Sequence, residues 1–447
     1  MAIAAPAGAG ELLRMTVRAF HGQRCGTGVD LGDGYRYGAC HRRAAFHSGA
    51  RGKTLPVNKG WHDAGDYGRY VVNSGIATGT LLWAWELFPE SFEDIDLLDE
   101  VRWNLEWMLS MQDEDGGVWH KQTSLDFPGF VMPHDDESIS YVIGKGSCAT
   151  ANLAAVSAMA ARIYDGAFAE ENLKASRRAW RWLEQHPNVR FRNPSGVATG
   201  EYGDKDCSDE RLWAAAELWK SGGDRDAKVH LLANLHRAET GPPSWKEVGA
   251  LALWRAALEG DGHSMRRTVA AADVVVARAR EHQWRIPMRE RDFVWGSNGV
   301  AANYAMQLLV ANEIRPDARY VAVARDILDY LLGRNPFGMS YVTGYGKQSV
   351  QHPHHRPSGA DGIDAPWPGL LAGGPNRNRQ DPVLKKMPRG TPPIRMYADD
   401  QESYASNEIA INWNAPLVFL LAGLESRSPA AGAVPDRSLP IRRLSDD

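Results

Sequence analysis

The sequence predicts an all-α protein in which six helical hairpins close into a double ring, with long loops forming a cleft on one rim. About twelve segments place apolar residues at the three- and four-residue spacing of a helix face, and they fall into six successive pairs. Alternating runs between turn clusters are short, which argues against a parallel sheet with crossover helices. A length of 447 residues, 43% hydrophobic and 24% charged, suits one large packed core rather than a disordered chain.

The periodicity predicts helices over 10–20, 67–88, 97–112, 148–165, 169–186, 208–222, 226–238, 245–258, 265–284, 298–313, 317–333 and 404–424. Leu98, Val101, Leu105, Met108 and Leu109 form the stripe of the third. Leu153, Val156, Ala160 and Ile163 form that of the fourth, and Ala324, Ile327, Leu328 and Leu331 that of the eleventh. The joining segments 21–62, 114–147, 187–207, 285–297 and 335–403 are long, Gly/Pro-rich and aromatic. Loops beyond about 12–15 residues in a packed domain are usually functional, so a site on one rim is expected. One domain is expected over 1–424, followed by a frayed tail, 425–447, rich in Pro, Ser and charge.

With 51 Lys and Arg against 55 Asp and Glu, the net charge of −4 argues against nucleic-acid or anionic-membrane partners and leaves a neutral ligand open. No apolar run reaches the roughly 18 residues of a spanning helix. The start, MAIAAPAGAG, lacks the basic and apolar regions of a signal peptide. Export with the signal removed, or a cytoplasmic location, are the two expectations. The 16 tryptophans offer flat faces suited to sugar rings, although most must be core.

Two segments bring chemistry. GWHDAGDYGRYV places Asp63 and Asp66 three apart, where an expected helix begins, so that both carboxylates share one face. Helix capping is the competing use of such residues. YADDQESYASNEIAINWNAP places Glu408 beside Ile409, Ile411 and Trp413 in a helix-forming stretch. A carboxyl held among apolar groups keeps its proton to higher pH, as a general acid requires; a solvent-facing Glu would not.

Together these segments resemble glycoside hydrolase family 9, the mostly cellulase family of inverting enzymes on an (α/α)6 barrel. The C-terminal pattern fits at Tyr397, Asp399, Tyr404, Glu408, Ala410, Asn414 and Ala415. A second pattern runs from Ser340 through Thr343 and Gly346 to Pro353, His354 and Arg356, with Gln348 in place of the usual Asn, Lys or Arg. The resemblance implies that Asp66 is the general base, that Asp63 helps hold the water, and that Glu408 is the general acid. It implies that His354 and Arg356 bond the sugar beside the scissile linkage, and that Trp119 and His120 line the cleft. Trp295, Trp367 and Tyr404 are further candidates for stacking. A metal cluster from His352, His354 and His355 is the rival use of that histidine run.

Cys25, Cys40 and His41 lie in a Gly-rich segment, and two thiolates with two imidazoles make a closed tetrahedral zinc site. The zinc-containing branch of the family implies His62 as the fourth ligand; His47 is an alternative, and a disulfide or free thiols are the other reading. The run EYGDKDCSDERLW crowds carboxylates ahead of a helix, and the resemblance implies calcium on Asp206, Asp209 and Glu210, against a solvated acidic terminus. Cys148 and Cys207 are expected to be buried thiols. No organic cofactor is expected, and a monomer is.

The expected activity is inverting hydrolysis of β-1,4 bonds in cellulose-type glucans, by an endoglucanase. An exo-acting cellodextrinase or exo-β-glucosaminidase is the alternative, the latter needing an extra acid such as Asp135, Asp136 or Glu137. A non-catalytic sugar-binding protein would lack one of the three carboxylates, and none is missing. A zinc hydrolase would lose activity on chelation without unfolding.

Overall fold

Helices enclosed on every side alternate along the chain with helices that hide only one face. The computed structural model describes residues 9–49 and 52–427. Its long helices are α1 (Ala9–Gly22), α2 (Val71–Leu87), α3 (Leu97–Ser110), α4 (Ser147–Ile163), α5 (Gly166–Gln185), α6 (Ser208–Gly222), α7 (Arg225–Asn234), α8 (Gly249–Leu258), α9 (Gly262–Glu281), α10 (Ser297–Ile314), α11 (Ala318–Leu331) and α12 (Ile411–Glu425). Every residue from Val71 to Ala84 in α2, from Ser147 to Ala160 in α4 and from Gly249 to Ala257 in α8 is buried. Helices α5 and α11 instead bury one stripe and expose charge. A helix apolar all round needs neighbours all round, and an amphipathic one needs a single neighbour.

The packing meets both demands. α2, α4, α6, α8, α10 and α12 touch in sequence, and α12 returns to α2, closing an inner ring. α3, α5, α7, α9 and α11 each pack on the inner helix before them in the chain, and α1 packs on α12. The fold is therefore the expected (α/α)6 barrel. α2, α4, α6, α8 and α10 are each followed by a short connection, and every inner helix is preceded by a longer one, so the long loops gather on the rim where the inner helices start.

Two of the helix boundaries that differ from expectation bear on the site. The helix expected over 67–88 begins only at Val71, because Arg69–Tyr70 pairs antiparallel with Trp119–Thr123. The helix expected over 404–424 is broken into Tyr404–Asn407 and α12, leaving Glu408 to Ala410 extended. The loops also hold a five-stranded sheet in the order 54–55, 45–47, 141–145, 119–123, 69–70. Its strands are two to five residues long, too short for alternation to show in a sequence window.

Cys148 and Cys207 are not free thiols, as expected, but a disulfide. They stand at the starts of α4 and α6, inner-ring neighbours whose approach brings the two Cα atoms to 4.9 Å. Among the described residues no helix is long and apolar enough to cross a membrane. α12 runs on to Glu425, into the expected tail, and residues 428–447 lie outside the described part.

Candidate active site

Asp63 and Asp66 do not cap a helix. They sit in the turn before Arg69–Tyr70, and α2 starts with Tyr70 as its N-cap residue. Main-chain bonds hold the turn: Asp63 N–H donates to Gly68 O at 2.9 Å, and Ile411 N–H donates to Asp63 O at 2.9 Å. Ala64 pairs with Ala410. Gly65 lies so close to the neighbouring segment that a Cβ there would stand 2.0 Å from His354 O. Gly65 O in turn accepts from Arg356 Nη1 at 2.8 Å and from Arg356 N at 3.1 Å.

The two carboxylates are both buried but differently engaged. Asp63 accepts from Asn73 Nδ2 at 2.6 Å on one oxygen and from Tyr202 Oη at 2.7 Å on the other. Burial, helped by the charge of Asp66, nonetheless pushes Asp63 up to about 8. Asp66 accepts from the Gly68 backbone N–H at 2.9 Å, and among the described residues no side chain donates to it. Burial raises Asp66 too, and Arg356 and the Gly68 N–H restrain the rise.

Glu408 stands opposite, at the break between the two C-terminal helices. Its backbone is extended, with ψ at 159°. It pairs with His354 on one side, while Gly373 N–H donates to its carbonyl at 2.8 Å. Burial raises its carboxyl well above the ordinary glutamate value, and the charges of Asp66 and Asp63 add to this; Arg356 and the Trp295 indole N–H pull the other way. The apolar-helix reading of Glu408 thus names the wrong backbone, although the expected direction of its proton affinity stands.

The sugar-holding candidates separate into two groups. Trp295 is 38% exposed, and its ring lies 5.7 Å from that of Tyr404, which is 5.8 Å from His354. His354 Nδ1 faces Gln401 O at 2.7 Å, and His355 bonds Ser358, so the histidine run does not gather as a metal cluster. Arg356 spends Nε on Pro128 O at 2.9 Å and lies 5.7 Å from the rings of Phe127 and Phe130. These residues surround Glu408: His354 pairs with it, the Trp295 indole reaches its carboxyl, and the charge of Arg356 acts on it. By contrast Trp367 is 1% exposed, stacked on Tyr37 with its indole N–H on Asp361, so it is core and not a stacking platform. His120 is buried flat against Phe191, bonded to Glu201 O, and held down to about 3 by burial, so it does not open into the cleft. Trp119 packs between His47 and Lys145 in the sheet.

Asn73 and Tyr202, the direct supports of Asp63, escape a reading of the sequence. Tyr202 lies in the very run whose acids suggested calcium. Lys121 is a third such residue. Fully buried, its ammonium bonds Asn193, Thr199 and Gly200, fastening the loop that delivers Tyr202, and burial lowers it to about 8.

Cys25, Cys40, His41 and His62 converge, with one ligand atom of each within 4.8 Å of all the others. The sulfurs are 3.9 Å apart, Cys25 Sγ is 3.6 Å from His41 Nδ1, and Cys40 Sγ is 3.7 Å from His62 Nε2. Tetrahedral zinc with ordinary bond lengths would set about 3.8 Å between sulfurs and about 3.6 Å between sulfur and nitrogen. The donor set therefore fits the ion, and Asp136 accepts from the outer nitrogen of His41 at 3.1 Å, as a support for a ligating imidazole should. His47, on Trp119, is not the fourth donor. Asp206, Asp209 and Glu210 form no such group among the described residues. Asp209 accepts from Val248 N–H, Asp206 from Ser208 N–H, and Glu210 is buried behind the disulfide.

The family model for Glycosyl hydrolase family 9 matches residues 10–421. Endoglucanase D of Acetivibrio thermocellus is 36% identical over 92% of this chain, which spans 66% of that protein's length. A cellodextrinase of Butyrivibrio fibrisolvens is 34% identical over 93% of the chain and 83% of its own length. The crystal structure of a thermostable endoglucanase from Alicyclobacillus acidocaldarius superposes with a TM-score of 0.89 at 36% identity, covering 93% of this chain and 84% of that one.

Proposed function

The chain belongs to glycosyl hydrolase family 9, and from that premise we propose that it is an inverting endo-β-1,4-glucanase acting on cellulose-type glucans and cello-oligosaccharides. The observation behind this reading is the set of three carboxyl groups joined by main-chain pairing: Asp63 and Asp66 on one segment, Glu408 on the segment bridged to it. Asp66 is raised less than Glu408, so between their two values one is ionised and the other protonated.

In the proposed reaction Asp66 takes a proton from a water molecule as the water oxygen bonds to the anomeric carbon. Glu408 gives its proton to the glycosidic oxygen as the carbon–oxygen bond breaks, and the configuration inverts. Asp63, pinned by Asn73 and Tyr202, orients the same water. Trp295, Tyr404, His354 and Arg356 hold the sugars on either side of the bond. Endoglucanase D among the relatives favours internal cleavage.

Cys25, Cys40, His41 and His62 hold a structural zinc ion in this reading. Four protein ligands leave no open position, so the ion braces the segment of Asp63 and takes no part in the chemistry. The Cys148–Cys207 disulfide supports export to an oxidising compartment.

Product analysis on carboxymethylcellulose, cellopentaose and chitosan oligomers, with the anomeric form of the product followed by NMR, tests the reading. A fast viscosity drop with few reducing ends and an α-anomer product is expected. Release of single units from one end, or of glucosamine, would overturn the endoglucanase assignment.

A further inference from the structure

A cationic lobe adjoins the catalytic segment. Residues 377–395 contain six basic side chains, Arg377, Arg379, Lys385, Lys386, Arg389 and Arg395, against one acid, Asp381. That acid is buried and consumed locally, accepting from Leu384 N–H, Ser403 Oγ and Ala405 N–H. Arg379 is turned inward onto the carbonyls of Leu384, Met387 and Pro388, shaping the lobe. The other five are exposed, and among the described residues none is paired with a carboxylate. In a chain of net charge −4, five uncompensated cations in one lobe form a local field opposite in sign to the whole.

The lobe is fastened to the segment that ends in Glu408. Leu384, Met396 and Ala405 pack in one small apolar cluster with Tyr404 and Met387 beside it. Tyr404 Oη donates to Gln380 O at 3.1 Å, Asn376 Nδ2 donates to Ala405 O at 2.9 Å, and Arg377 N–H donates to Phe293 O, two residues before Trp295. The lobe is thus bonded to the surroundings of both members of the Trp295–Tyr404 pair, through Gln380 O on Tyr404 and through Arg377 N–H on the segment of Trp295. The exposed acids that follow it in the sequence are Asp400 and Glu402.

We propose that this lobe is an extended binding surface for a carboxylate-bearing β-1,4-linked glycan, one whose uronic-acid or carboxymethyl groups meet Arg377, Lys385, Lys386, Arg389 and Arg395 while its backbone occupies the cleft. The proposal rests on the glucanase reading of the cleft. Continuity with the cleft selects a polysaccharide as occupant, and the charge selects an acidic one. Exposed ammonium and guanidinium groups add modest, salt-sensitive attraction each, and several acting along one chain add up.

The test compares carboxymethylcellulose with neutral hydroxyethylcellulose and cellopentaose, for the wild type and for the triple variant Lys385→Glu/Lys386→Glu/Arg389→Glu. Assays at about 20 mM and about 500 mM salt bracket the range over which the screening length crosses 10 Å. The expected result is a KM for carboxymethylcellulose that rises with salt in the wild type, and about tenfold at low salt in the variant. Values for the neutral substrates stay unchanged. An equal effect on neutral and charged polymers, or no effect on either, overturns the lobe as a binding surface. Cleavage of none of the three by the wild type would instead overturn the glucanase reading, so the two failures are separable.

Discussion

Gly65→Ala tests whether the catalytic carboxylates are held in place by contact between two backbones. The added Cβ would stand 2.0 Å from His354 O, whereas Cβ atoms essentially never come nearer than 3.0 Å. The segment of Asp63 and Asp66 and the segment of His354 to Arg356 must therefore separate by about 1 Å. Two hydrogen bonds from Arg356 to Gly65 O cross that contact, and His354 is in turn paired with Glu408, so a shift of its segment reaches the third carboxyl as well. A displacement of about 1 Å in a positioned catalytic group costs on the order of a hundredfold in rate. The assay is kcat and KM on cellopentaose, with the thermal midpoint measured on the same preparation. Gly241→Ala, at a position with nothing within 4 Å, is the control. A folded Gly65→Ala variant with kcat within about threefold of wild type would refute the claim that this contact sets the geometry.

Glu408→Gln should lower kcat on cellopentaose by about 10²–10⁴, and much less on an aryl cellobioside whose leaving group needs no proton; equal losses on both would remove Glu408 as the acid. The pH profile follows from the two raised carboxyls. In the proposed roles Asp66 works ionised and Glu408 protonated, so activity should rise as pH passes the raised Asp66 value and fall as it passes the Glu408 value, which is raised well above the ordinary one. Both limbs lie above the ordinary carboxyl values of 3.8 and 4.5, and an alkaline limb at or below about 4.5 would contradict the burial argument. With zinc held as proposed by Cys25, Cys40, His41 and His62, a chelator should lower the thermal midpoint while activity at low temperature persists; immediate loss of activity without a change in midpoint would point to metal chemistry.

The barrel was legible because its helices are long and their stripes regular, and the twelve expected segments match twelve helices within a few residues at most ends. The errors fall where tertiary pairing overrides local preference. Tyr404 to Leu424 reads as one helix, since Ile, Ala and Asn tolerate that state, yet Glu408, Ile409 and Ala410 are taken by partners at His354, Ala372 and Ala64. Asp63 and Asp66 read as a first turn for the same reason. Trp367 and Trp295 are indistinguishable in sequence, and only packing tells that one is core and the other exposed. The Cys148–Cys207 bond joins residues 59 apart, and no spacing rule reveals that two inner-ring helices start side by side.

These errors share a cause that bears on function. A carboxylate on a helix is positioned by that helix alone, and its rotamers sweep an arc. Glu408 instead sits where two backbones converge: His354 N–H donates to Asn407 O, and Gly373 N–H to Glu408 O itself. Asp63 is likewise tied at its own N–H and carbonyl, the latter receiving the first N–H of α12. The free amide at the start of one inner helix thus anchors the residue that precedes another, α2, whose Asn73 reaches back to the carboxylate. A ring of inner helices all starting on one rim supplies such amides around a common centre. Local helix propensity is given up there in exchange for carboxyl groups fixed by main-chain bonds, which is the arrangement an acid and a base on opposite sides of one linkage require.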